Sequence, residues 1–339
     1  MSVSLRTLGR DGPQVNAVGL GLLSIGGVTY GQAGPLEETV AFLDHAHSTG
    51  QRFWDTADRY GNSEDIIGEW FKRSGKRSDI FLATKFGLVH GAAGLEIRSD
   101  PEYIKASCEK SLKRLGIDTI DLYYCHRVDG KTPIEKTIET MVELKKEGKI
   151  RYLGLSECSA ATLRRAHAVH PISAYQVEYS PFALDIEGKT TGVLNTCREL
   201  GIAVIAYSPI GRGILSGRFK SPGDFPEGDF RRVLPKYSQE NFPRILALVE
   251  GLQGIAKAHD STTAQVALAW LQAQGPDIIP IPGTKSTSRM DENAASSLLK
   301  LSDKEVQQVR ELVERTEIIG DRYPEALKRL LSFADTPAL

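Results

Sequence analysis

Apolar runs of strand length recur along the chain, and each is followed by a stretch whose apolar positions repeat every three to four residues. The runs are NAVGLGLL (16–23), RFWDTA (52–57), DIFLATKF (79–86), TIDLYYCH (119–126), IRYLGLSE (150–157), SAYQVEYS (173–180), IAVIAYSP (202–209) and DIIPIPG (277–283). Stretches such as AVIAY and IIPI alternate little, the pattern of parallel strands covered on both faces. Between the runs lie LEETVAFLDHAHSTG, SEDIIGEWFKRSG, DPEYIKASCEKSLKRLG, TPIEKTIETMVELKKEG, SAATLRRAHAVH and GVLNTCRELG. Several open at Ser, Thr or Asp and several stop at Gly, the punctuation of helix N-caps and left-handed C-termini. Strand then helix, eight times, predicts an α/β fold of the (β/α)8 TIM-barrel type. An open doubly wound sheet shares the alternation, but the count favours the barrel.

Two segments depart from a plain barrel. The stretch 210–240, rich in Gly, Pro and Arg, follows the seventh run and would overhang the C-terminal mouth, where barrel active sites lie. It is expected as an extended mouth loop, with a disordered surface loop as the blander alternative. Near the C-terminus, Ser302 and Glu305 have capping-box spacing and open an extra helix, VQQVRELVER. No repeat, linker or low-complexity tract divides the chain, so residues 1–339 are expected to form a single barrel domain.

Charge narrows the partner. Lys and Arg number 42 against 43 Asp and Glu, a formal net charge of −1, so no overall field recruits nucleic acid or an anionic membrane. No apolar stretch approaches the roughly 18 residues of a membrane span, and the N-terminus lacks a signal-peptide core. Cys108, Cys125, Cys158 and Cys197 are scattered, as expected of reduced thiols in a cytoplasmic protein. An oligomer is not indicated. The partner expected is a small molecule.

Three strand ends carry polar chemistry in apolar surroundings: Asp55 in FWDTADRYG, Lys85 in FLATKFG and His126 in LYYCHRVD, with Tyr60 five residues after Asp55. Parallel neighbouring strands would bring all four to one mouth. A buried Lys needs a counter-charge, and Asp55 is its natural partner; alone, that is also what a structural ion pair would be. Tyr60 adds more, because a phenol becomes a useful proton donor once a nearby cation lowers its pKa. His126 would then orient a carbonyl oxygen that Tyr60 protonates. No nucleophile with an adjacent base is evident, and no metal-ligand cluster, which counts against a metal-dependent barrel hydrolase.

Nine motifs in order, GLGLLS, FWDTADRYGNSE, FLATKFG, LYYCHRVD, RYLGLSE, YQVEYSP, AYSPIGRG, ALAWL and IPGTKSTSRMDEN, resemble the aldo-keto reductase superfamily from about residue 5 to 297. The H-R-V-D and L-S-E forms look most like its microbial, fungal and plant branch. The resemblance implies a (β/α)8 barrel binding NADP(H) and reducing an aldehyde or ketone, with Asp55, Tyr60, Lys85 and His126 as catalytic tetrad. It further implies that Ser156 and Gln176 hydrogen-bond the carboxamide, with Glu157 beside them. Tyr207 would stack on the nicotinamide, and Ser208, Pro209, Ile210, Gly211, Arg212 and Gly213 would follow the pyrophosphate. Thr284, Lys285, Arg289 and Asn293 would surround the adenosine phosphate, with Gly21, Leu22, Ile281, Gly283 and Glu292 completing the cofactor's surroundings. A Lys and an Arg four residues apart near a helix start suit a 2′-phosphate, which favours NADP over NAD.

By position only, Tyr30, Phe86 and Arg127 are expected at the substrate, as are the 210–240 loop and the tail with Tyr323 and Phe333. The chain departs from the commoner G-L-G-C-M-G at GLGLLSIGG, and carries Glu157 where some branches have Asn. Because superfamily members also serve as NADP(H)-binding redox-sensing regulatory subunits, that role is the alternative. Gly19-x-Gly21-x-x-Ser24 lacks the third glycine of a dinucleotide fingerprint. His45 with His47, and His167 with His170, are not expected to bind metal. Arg231 and Arg232 are expected in solvated loop.

Overall fold

The computed structural model describes residues 4–28, 31–91 and 94–339. Among them, eight parallel strands form one sheet in chain order: β1 (Leu20–Gly21), β2 (Phe53–Asp55), β3 (Phe81–Phe86), β4 (Ile120–Cys125), β5 (Ile150–Ser156), β6 (Ala174–Glu178), β7 (Ala203–Tyr207) and β8 (Ile278–Pro280). The sheet closes on itself. Gly19 N donates to Pro280 O at 2.9 Å and Gly21 N to Pro282 O at 3.1 Å. A β-carbon on Gly21 would stand 2.8 Å from Ile281 O, so this seam needs glycine. The barrel expected from eight strand–helix units is the observed fold.

The outer layer comprises α1 (Leu36–Ser48), α2 (Ser63–Ser74), α3 (Pro101–Leu115), α4 (Ile134–Lys146), α5 (Ala160–Val169), α6 (Val193–Leu200), α7 (Phe242–Ala258), α8 (Thr263–Ala273), α9 (Thr287–Ala295), α10 (Asp303–Arg315) and α11 (Glu325–Leu331). Their ends follow the sequence signals. Asp100 and Ser159 cap α3 and α5, Gly75 and Gly116 end α2 and α3 in the left-handed region, and Ser302 with Glu305 forms the expected capping box on α10. None of the described helices is long and apolar enough to cross a membrane.

Strand alternation sorts the core into two bodies. Outward residues such as Trp54, Leu82, Tyr123, Leu155, Tyr175 and Val204 pack under the helices. Inward residues Phe53, Ala83, Leu122, Tyr124, Ala174, Ala203, Ile205 and Ile279 fill the barrel, closed below by Leu8 and Val15. Those two come from an antiparallel hairpin, Leu5–Thr7 with Gln14–Asn16, which the run pattern does not reveal. A second hairpin, Leu88–Gly91 with Gly94–Ile97, follows β3 and is likewise unforeseen.

The 210–240 stretch corrects an expectation. It folds as successive 3-10 turns, Gly211–Ser216, Pro222–Asp224, Phe230–Val233 and Pro235–Tyr237, around buried Phe219, Phe225, Leu234 and Tyr237. Arg231 is buried, not solvated: its guanidinium lies 4.5 Å from the ring centres of both Phe219 and Phe225, pairs with Asp229 at 2.6 Å, and donates to Arg212 O at 2.8 Å. Arg232 donates to Phe225 O. A cation between aromatic faces with a carboxylate behind it gives a polar-looking sequence a core of its own.

Candidate active site

The alternation that fills the barrel with apolar groups lower down carries on upward with polar ones. Two residues above Phe53 and Ala83 come Asp55 and Lys85; above Tyr124 comes His126, above Ala174 Gln176, and above Ile205 Tyr207. Gly154 sits below Ser156 on β5 because a β-carbon there would meet the Tyr124 ring at 2.3 Å. The C-terminal mouth therefore collects the polar inward residues of β2 to β7.

At its centre is a buried ion pair. Lys85 Nζ donates to Asp55 Oδ1 at 2.5 Å and to Thr56 O at 2.6 Å, while Gln176 Nε2 donates to Asp55 Oδ2 at 2.8 Å. Burial disfavours the Lys85 charge, but Asp55 and Tyr60 outweigh it and raise its pKa, so the ammonium persists. Burial pushes the Asp55 carboxyl up, against the pull of Lys85 and Gln176. Lys85 Nζ lies 5.0 Å from the centre of the Tyr60 ring, and the His126 ring meets that ring edge-on at 5.9 Å. The turn bearing Tyr60 is fastened by Arg114 of α3, which donates to Asp58 O at 3.1 Å, to Gly61 O at 2.5 Å and to the buried Glu64 at 2.9 Å.

One electrostatic expectation needs correction. Lys85 and Arg127 do lower the Tyr60 pKa, but burial and Asp55 raise it by more, so the phenol stays above its ordinary value. Desolvation of the phenolate is the larger effect. His126 is held well below its usual range by burial and then by Arg127, Lys85 and Arg59, which makes it a neutral imidazole at neutral pH. Its Nδ1 is buried without a hydrogen-bond partner among the described residues.

Beside this group lies a second set on β5, β6 and β7. Arg127 donates to His126 O at 2.5 Å and to Ser156 Oγ at 3.1 Å. Glu157 is fully buried in a left-handed backbone conformation (φ 55°), accepts from Tyr207 OH at 2.8 Å, and leaves Oε2 without a hydrogen-bond partner among the described residues. Ser208 and Arg212 also have positive φ, so three non-glycine residues along this rim hold conformations that cost free energy. Further along the rim, Lys285 and Arg289 are exposed, and Lys285 Nζ donates only to Gln32 O among the contacts of its side chain described, at 3.0 Å. Burial and then the nearby Arg289 and Arg231 charges lower the Arg218 pKa, which marks a cationic cluster.

Three comparisons bear on these groups. The profile described as "Aldo/keto reductase family" matches residues 17–314. The chain belongs to the aldo-keto reductase family. It is 50% identical to aldo-keto reductase str7 of Strobilurus tenacellus, over 99% of this chain and 100% of that protein. It is 49% identical to aldo-keto reductase yakc [NADP(+)] of Schizosaccharomyces pombe, over 100% of this chain and 99% of that one. Among solved structures it is similar to the glycerol dehydrogenase of Gluconobacter oxydans, with a TM-score of 0.83 and 28% identity over 95% of this chain and 98% of that chain.

Within this aldo-keto reductase, the structure brings Asp55, Tyr60, Lys85 and His126 together, with Ser156, Glu157, Gln176 and Tyr207 adjoining them. Three expected residues fall elsewhere. Phe86 follows inward Lys85 and so faces outward, fully buried against Tyr123 at 5.0 Å between ring centres; it cannot line a substrate pocket. Leu22 belongs to the outer core, its N–H donating to Asp55 O and its carbonyl accepting from Ser63, so it is not a free cofactor contact. Glu292 turns to the α8 N-cap and accepts from Thr262 Oγ1 at 2.5 Å. Tyr30 lies outside the described residues. Arg114, Glu64 and Arg218 went unread: their partners are distant in sequence, and a lone Arg on a helix or loop carries no motif.

The remaining expectations concern bystanders. His45 pairs with Asp291 and His47 with Asp79, His167 accepts from Ile172 N, and no metal-binding group of side chains occurs among the described residues. All four cysteines are buried and free. A concavity of about 480 Å³ on the opposite barrel face is lined by Arg52, Asp79, Asp121 and Arg151, but Asp121 is already paired with Arg77 and Arg151.

Proposed function

We propose that this chain is an NADPH-dependent reductase that converts an aldehyde or ketone to an alcohol. The observation that carries the proposal is the Lys85–Asp55 pair inside the barrel, with Tyr60 and the neutral His126 against it. Tyr60 would be the proton donor and His126 the group that orients the carbonyl oxygen. Lys85 would stabilise charge as it develops on the phenol, and Asp55 with Gln176 would hold Lys85.

The cofactor fits the residues present. An acceptor left without a partner inside a protein is costly, and the primary amide of a nicotinamide is the donor that the buried Glu157 Oε2, with Ser156 and Gln176, would suit. Tyr207 offers a partly exposed ring, and the left-handed rim at Ser208–Gly213 offers backbone groups. Lys285, Arg289 and Arg218 would supply positive charge for a 2′-phosphate, and a bound anion would relieve the repulsion between Arg218 and Arg289. The Schizosaccharomyces pombe relative carries NADP(+) in its name, which supports the same choice. When bound, NADPH supplies the hydride; the protein supplies orientation and the proton.

The direct test titrates the protein with NADPH and NADH by fluorescence, then follows NADPH absorbance on adding a panel of aliphatic and aromatic aldehydes. Aldehyde-dependent oxidation is the expected result; tight binding with no turnover on any carbonyl would instead favour the regulatory-subunit role. In the same assay, Lys285→Ala with Arg289→Ala should weaken NADPH about ten-fold or more and NADH by no more than about two-fold, since only NADPH carries the 2′-phosphate. Equal loss for both would place that phosphate elsewhere.

A further inference from the structure

Glu157 and Glu178, at the mouth ends of β5 and β6, are both buried, and two carboxylates so placed need cations. Arg212 serves Glu178 from the rim, its Nη2 3.1 Å from Oε2. The cation on Glu157 comes from far away in sequence. Arg322, in the segment between α10 and α11, is 5% exposed and places Nη2 2.6 Å from Glu157 Oε1 and 3.0 Å from Tyr207 OH, with Nε 3.2 Å from Glu178 Oε2. Its neighbour Tyr323 has its hydroxyl 3.2 Å from Tyr207 OH and accepts from Arg212 Nη2 at 3.2 Å.

The same tail fixes the backbone of this corner. Ala334 N donates to Glu157 O at 3.1 Å and Ser159 N donates to Ala334 O at 3.0 Å, so the tail pairs with residues 157–159 where Glu157 adopts its left-handed conformation. Ser159 Oγ bonds Asp335, and Arg165 donates to Thr336 O at 3.0 Å. Upstream, Asn241 holds Ile319 through both its N–H and its carbonyl. Side-chain and backbone contacts thus converge on Glu157 and Tyr207, and none of the Arg322 contacts reaches Lys285 or Arg289.

We propose that Arg322 is a positioning residue for the nicotinamide end of the cofactor, acting through Glu157 and Tyr207. The proposal rests on the cofactor assignment above. Arg322 pairs with buried Glu157 through Oε1, leaving Oε2 open, and fixes the Tyr207 hydroxyl and so its ring. Arg322 is the cation in direct contact with this carboxylate, with Arg127 nearby; an amide at position 157 would need neither.

The experiment measures binding of NADPH and of adenosine 2′,5′-bisphosphate, which carries only the adenosine end, to the full chain. Arg322→Met should weaken NADPH at least about ten-fold while bisphosphate affinity stays within about two-fold. Glu157→Gln added to Arg322→Met should recover part of the loss, because the neutral side chain needs no counter-charge and keeps one of the two acceptor oxygens. Arg322→Lys, with the charge but one point of contact, should lose about three-fold for NADPH alone and gives the same split if the Met variant does not fold. Unchanged NADPH affinity in both single variants, equal loss of both ligands, or no recovery in the double variant overturns the proposal. A wild-type chain that binds neither ligand overturns the cofactor assignment, and this inference with it.

Discussion

Tyr60→Phe is expected to lower carbonyl reduction by about 10²- to 10⁴-fold, the usual contribution of a positioned general acid, while NADPH affinity stays within about three-fold. The substitution removes one oxygen and leaves the ring that Lys85 and His126 pack against. The pH profile carries a second consequence. A proton donor must be protonated to work, and the Tyr60 pKa is raised by burial, so the phenol itself should not limit reduction until the pH exceeds the ordinary phenol value near 10. His126, already neutral, should contribute no loss between pH 7 and 9. Single-turnover rates with saturating NADPH from about pH 7 to just above 10 would check both statements; full activity in the Phe variant would remove Tyr60 from the mechanism.

Lys85→Met should damage stability and chemistry together. Removing one partner of a buried pair costs about 3 to 5 kcal/mol, which for a chain of this length lowers the melting temperature by about 4 to 7 °C. Turnover should fall at least about 10²-fold, because no cation then stabilises charge on the phenol. The two losses can be separated. Adding Asp55→Asn removes the stranded carboxylate and should restore most of the melting temperature, yet leave turnover as low as in the single variant. Thermal melts and steady-state rates on the single and double variants give the answer. Recovery of activity with stability would mean that the pair is merely structural.

The barrel is legible because buried parallel strands write themselves as unbroken apolar runs, and because Gly and Ser mark where helices end. Alternation within those runs is informative too: it places Asp55, Lys85, His126, Gln176 and Tyr207 on one interior face. The same rule, applied more strictly, would have excluded Phe86, whose side chain must oppose that of Lys85. The hairpin Leu5–Thr7 with Gln14–Asn16 is hidden because three-residue strands are too short to show a period. The 210–240 stretch misleads for another reason. Its core is built from Arg231 between two phenylalanines, and composition counts that arginine as polar.

Arg322 and Glu157 are separated by 165 positions. By the time β8 has formed, every barrel strand is in place, yet the corner beside Tyr207 still lacks its cation and the backbone pairing from Ala334. A chain cut before Arg322 would thus hold a complete set of strands and an incomplete pocket. The strands that close the barrel and the residues that complete its pocket thus lie in different stretches of the chain, so a cut between them would separate being folded from being competent.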